Sequence, residues 1–139
     1  MKTRFSSLVT LKKNAMDKSE RGVQQANSDL KNANTALELS YNSLQTIDSP
    51  QNGHISDLLA QRALLSSQRA IIIHNKEWVN FAKKQLELSK EQLKRDMIEF
   101  EKFKYLELEE MKKVIKKRKM EEAKQLDEVA LMTYGRKDK

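Results

Sequence analysis

The chain has 139 residues, within the size of one domain, and a net charge of +7 from 27 basic and 20 acidic side chains. Charged residues make up 34% and aromatics 6%, with only three glycines and one proline, a profile of long helices and coiled coils rather than of a compact globule. Absence of cysteine excludes disulfides and thiolate metal sites and permits a reducing compartment.

The chain begins "MKTRFSSLVTLKKNAMDK", basic but with its apolar residues broken by Ser, Thr and Lys, so it lacks the apolar stretch of a secretory signal. Val9, Met16, Val23, Leu30, Leu37 and Leu44 then recur every seven residues without a miss. Companions three positions later are mixed: Lys12, Ser19, Ala26, Ala33, Ser40 and Ile47. This repeat predicts a first helix over about 3–47.

A turn over about 48–54 follows. It contains the only proline, Pro50, and Gly53, in "SPQNG". Ser49 before the proline is biased away from helical angles, and Gly53 is free to take positive φ, which suits an αα-hairpin turn.

After the turn a second stripe runs through Leu58, Leu65, Ile72, Val79, Leu86, Leu93 and Phe100, with largely polar companions. No Gly or Pro interrupts residues 54–134, so the second helix is expected over about 55–134. A reversal near residue 51 pairs Leu44 with Leu58, Leu37 with Leu65, Leu30 with Ile72, and onward to Val9 with Leu93. One register thus serves both stripes, and the expected fold is all-α, an antiparallel two-helix coiled-coil hairpin with a longer second helix, in a single elongated domain, residues 1–139. With the chain start opposite about residue 99, the second helix would overhang by roughly 35 residues, or about 50 Å. Leu108, Met111 and Ile115 keep an apolar stripe along that overhang. Glu91 with Arg95 and Glu109 with Lys113 stand at the i,i+4 spacing that supports an exposed helix.

Chemistry-bearing constellations are scarce. The glycines are isolated, so there is no phosphate-cradling loop, and no serine has a histidine partner near in sequence or register. His54 and His74 are about 30 Å apart on a straight helix. His54 with Asp57 supplies only two metal ligands, too few for a site. Neither an enzyme, a cofactor nor a metal centre is expected. The longest apolar run, residues 70–73, is far short of the roughly 20 residues of a spanning helix, so direct membrane insertion is not expected and the protein reads as cytoplasmic.

Two surface features remain. "KKVIKKRK", residues 112–119, carries six positive residues in eight. It reads as a solvated helix face, as an electrostatic dock for an acidic protein surface, or as a nucleic-acid contact. Beside the second stripe, Leu64, Ile71 and Trp78 are seven apart, and Ile71, His74, Trp78 and Phe81 follow one helical line. They either widen the core seam or form an apolar docking face, to which Tyr41 of the first helix contributes.

The opening "RFSSLVTLKKNAMDKSERGVQQA" and the ending "KQLDEVALMTYGRK" resemble those of FliJ-family flagellar export proteins, as do the length, the mid-chain break and the longer second helix. The resemblance covers essentially the whole chain. It implies an antiparallel two-helix stalk, similar to the central stalk of rotary ATPases, in the flagellar type III protein export apparatus. Implied partners are the export ATPase hexamer, the export gate membrane protein and export chaperones, with no nucleic acid, at a cytoplasmic position peripheral to the inner membrane. Carried onto this sequence, an ATPase tip would comprise Phe5, Lys12, Lys13, Lys112, Lys113, Lys116, Lys117, Arg118, Lys119, Tyr134 and Arg136. A gate face would comprise Tyr41, Leu64, Ile71, His74, Trp78 and Phe81. The rival readings are a structural coiled-coil adaptor outside secretion and a basic nucleic-acid-binding helical protein.

Overall fold

A computed structural model describes residues 2–47 and 53–137, with side chains described to residue 135. Two helices, α1 (Ser6–Gln45) and α2 (Ile55–Lys137), account for nearly all of them, and no strand occurs among the described residues. They pack antiparallel as a coiled-coil hairpin in which the second helix is the longer, 83 residues against 40. The chain divides into two compact units, one of Met1–Met16 with Asp96–Lys139 and one of Asp17–Arg95. The expected reversal at Ser49, Pro50, Gln51 and Asn52 lies outside the described residues.

Each helix start is capped by its own sequence. Ahead of α1, the Thr3 hydroxyl accepts from the Phe5 N–H at 3.2 Å, while the Thr3 N–H donates to the Ser6 hydroxyl at 2.9 Å. This is a reciprocal capping box with Ser in the place usually held by Glu. Ahead of α2, the His54 N–H donates to the Asp57 carboxylate at 3.3 Å, and that carboxylate also sits favourably at the positive end of the helix dipole. The spacing of His54 and Asp57 is therefore that of a helix cap. Gly53 serves the same cap in an unexpected way. No described glycine has positive φ; instead a Cβ at Gly53 would stand 3.0 Å from the Asp57 carboxylate. The residue supplies room rather than an unusual backbone angle.

In the unit Asp17–Arg95 the core is Ala33, Val79 and Ala82, with Leu30 and Leu37 packed against it. Ala26, Ser40 and Ile72 are also buried. On α1, then, the small companions lie deepest and the large stripe residues only half-buried. Two polar side chains tie the helices across this seam: Gln68 Nε2 donates to the Ser40 carbonyl at 2.8 Å, and Asn75 Nδ2 to the Ala36 carbonyl at 3.3 Å.

These contacts correct the expected register. Ala33 is buried in one cluster with Val79 and Ala82, whereas the expected register would set it opposite Arg69, a slip of about ten residues along α2. The physical reason is volume. A seam packed at protein density interdigitates large with small, whereas stripe-on-stripe pairing stacks leucine on leucine and leaves the companions facing one another across voids. The slip carries Leu58, the expected partner of Leu44, out of the seam, and it is 52% exposed.

The unit Met1–Met16 with Asp96–Lys139 has the same offset. Lys12 Nζ lies 3.7 Å from the Glu99 carboxylate and 5.5 Å from the Phe103 ring centroid, and Arg4 reaches Glu110 at 3.8 Å. Half-buried positions continue on α2 as far as Val114, so the cover does not stop near residue 99 as expected. The uncovered end is accordingly shorter: residues 115–135 are all exposed. Local pairing also differs from expectation. Glu109 pairs with Lys112 at 3.5 Å, and Arg95 bonds Gln92 at 2.9 Å.

The register makes a direct prediction. Ala33→Cys with Val79→Cys should crosslink under mild oxidation at least ~10-fold faster than Leu30→Cys with Ile72→Cys, whose slip of about 15 Å exceeds disulfide reach. Equal rates would overturn the register.

Candidate functional site

Two surfaces stand out, one in each unit. The first occupies the end of α2 within the unit Met1–Met16 with Asp96–Lys139. Lys116, Lys117, Arg118 and Lys119 are exposed, and among the described residues none is in an ion pair. Four consecutive helical residues lie about 100° apart, so their charges encircle the helix as a collar instead of marking one face. Beyond the collar, Leu126 (69%), Leu131 (72%), Met132 (68%) and Tyr134 (68%) carry bare apolar surface, and Glu122, Gln125, Leu126 and Val129 line a shallow groove of about 380 Å³. Isolated exposed apolar residues are ordinary, but several gathered on one exposed helix end are not.

The other residues assigned to this tip differ in their surroundings. Lys12 is half-buried and held in the seam by Glu99 and Phe103, while its neighbour Lys13 is exposed. Phe5 is half-buried beneath the Arg4 guanidinium, 4.9 Å from its ring centroid. Lys112 pairs with Glu109, and Lys113 is exposed. Arg136 lies in α2, outside the residues whose side chains are described.

The second surface is in the unit Asp17–Arg95. Leu64, Ile71, Trp78 and Phe81 are all exposed on one flank of α2, next to the buried Ile72, Val79 and Ala82. His74, Glu77, Trp78 and Phe81 line a groove of about 490 Å³. Ile72 and Val79 fill the seam, so the flanking row is free to present its rings and branched chains outward. Tyr41 is not brought together with this row. Its ring lies 5.7 Å from the Lys76 ammonium, about 200° around α2 from Trp78.

Sequence reasoning missed a further groove, lined by Arg62, Leu65, Ser66, Arg69, Ala70 and Ile73. The seven-residue spacing of Arg62 and Arg69 was the available signal. Among the described residues no group of His, Asp and Glu is arranged to hold a metal ion, and no helix is long and apolar enough to cross a membrane.

Among curated proteins and among solved structures, none matches the chain significantly. A family model described as "Flagellar FliJ protein" matches residues 1–139, the whole chain. With the antiparallel hairpin and its longer second helix, the match places the chain in the FliJ family, whose members are components of the flagellar export apparatus.

Proposed function

We propose that this chain is a non-enzymatic, stalk-like component of flagellar type III export that binds the export ATPase, promotes its assembly into a hexamer, and links it to the export gate and to export chaperones. The protein then works in the cytoplasm, peripheral to the inner membrane. The observation that carries the reading is the uncovered end of α2, where a collar of four positive charges, in no ion pair among the described residues, adjoins exposed apolar residues.

That chemistry suits a hole better than a flat surface. A collar presents charge in every direction perpendicular to the helix, so it is complementary to a ring of acidic groups around it. Apolar side chains further along then gain burial, at about 25 cal/mol per Å² of apolar area, on entering the ring. The family membership favours this reading over that of an adaptor outside secretion.

Reversing Lys116, Lys117, Arg118 and Lys119 to Glu tests it, because the substituted residues remain good helix formers and no ion pair among the described residues is broken. The expected outcome is lost stimulation of the ATPase, lost hexamer assembly and failed secretion, with little change in thermal stability. Wild-type affinity should fall as salt rises, since exposed charges are screened beyond about 8–10 Å near physiological ionic strength. Normal ATPase stimulation by the reversed variant would remove the collar from the mechanism.

The Ile71, Trp78 and Phe81 flank is the proposed contact for the gate protein. Trp78→Ala with Ile71→Ala should weaken gate binding by about 2 kcal/mol, the scale of an interface hot spot. Both side chains lie outside the buried core, so circular dichroism should be unchanged. Lost helicity with unchanged affinity per folded molecule would assign them to the seam instead.

A further inference from the structure

Along α2 in the unit Asp17–Arg95, every seventh residue is basic: Arg62, Arg69, Lys76, Lys83 and Lys90. All five are exposed. None is in an ion pair among the described residues; only Lys76 has a partner, the ring of Tyr41. A seven-residue step is two helical turns, about 10.5 Å, so the five charges form a nearly straight row about 42 Å long. The Tyr41 contact places that row along the margin where α2 meets α1. It lies on the flank of α2 away from Ile71, Trp78 and Phe81, and it plays no part in the collar.

The start of the row has a floor. Arg62 and Arg69 stand beside Leu65, Ala70 and Ile73 in a groove of about 570 Å³. Ile73 is 59% exposed, and Ser66 and Ala70 are small enough to let another backbone approach closely. Basic groups on an apolar, small-residue floor suit an amphipathic partner more than a bare polyanion, whose phosphates would be desolvated against Leu65 and Ile73.

We infer that this row is a docking edge for an acidic helix of a partner protein, one whose carboxylates recur every seven residues. Such a helix lies along the α1–α2 margin, sets its carboxylates against successive basic residues of the row, and lays its apolar side chains on Leu65, Ala70 and Ile73. The pairing follows the logic by which flanking charges choose partners in coiled coils. Charge complementarity identifies the occupant: five cations at helical repeat distance, none in an ion pair among the described residues, match anions at the same repeat.

The test uses the full-length chain and a stapled helical peptide of about three heptads, with Glu at every seventh position and Leu beside it. A second peptide has the same composition with its glutamates moved out of phase. By fluorescence anisotropy the phased peptide should bind at least ~10-fold more tightly than the other. The variant Arg69→Glu, Lys76→Glu, Lys83→Glu should bring its affinity down to that of the out-of-phase peptide, with an unchanged melting curve. Duplex DNA and phosphatidylglycerol vesicles should bind more weakly than the phased peptide at the same salt. Equal affinity for the two peptides would overturn the inference by reducing the row to a general polyanion attractor. So would tighter binding of DNA or vesicles. If the triple variant alters the melting curve, Lys83→Gln alone should still lower the affinity of the phased peptide; no effect would equally overturn it.

Discussion

In the unit Asp17–Arg95, Ala33 lies fully buried in one cluster with Val79 and Ala82, and the contact of its small side chain with the larger Val79 fixes what the other residues of that seam can meet. Leucines alone do not set it. A repeating stripe of similar residues is satisfied nearly as well after a shift along the partner helix, whereas a fully buried alanine tolerates only the register that fills its neighbourhood. The carbonyls of Ser40 and Ala36 add direction to the choice, because Gln68 and Asn75 reach them only in this alignment. Polar groups in a seam give up some stability for one register, a use well attested for coiled coils.

Register in turn decides where α2 loses its cover. Near the start of α2, Ile55, Leu58 and Leu59 are left exposed. In the other unit the half-buried positions end at Val114, just before the collar of residues 116–119. The charges proposed to meet the ATPase therefore begin just past the end of that cover. Lys12 illustrates the complement. It was assigned to the same tip, but Glu99 and Phe103 hold it in the seam, where it is a structural cation.

Much of the fold was legible in the residues. Two unbroken seven-residue stripes around a single proline specify an antiparallel hairpin, and the absence of Gly and Pro over residues 54–134 specifies a long second helix. The register was not legible from the stripes, because pairing large with large gives an equally regular pattern. The informative positions were the companions Ala26, Ala33 and Ser40, which look like interruptions until their burial is seen. Gly53 was misleading for a related reason: its value lies in the space it leaves for Asp57, which backbone preferences do not reveal. Of the surface features, the collar and the Trp78 row follow from spacing alone. The separation of Tyr41 from that row depends on the flank along which α1 lies, a tertiary fact.

Residue-resolved amide hydrogen exchange on the isolated full-length protein tests the register and its consequences together, since protection follows the burial and packing that each helix segment receives. Exchange should be slowest around residues 72–82 of α2, with protection extending to about residue 114 and fast exchange over residues 55–61 and 118–135. Protection beginning at Leu58 and ending near residue 99 would contradict this register, restoring the stripe-on-stripe alignment and displacing the uncovered end from the collar.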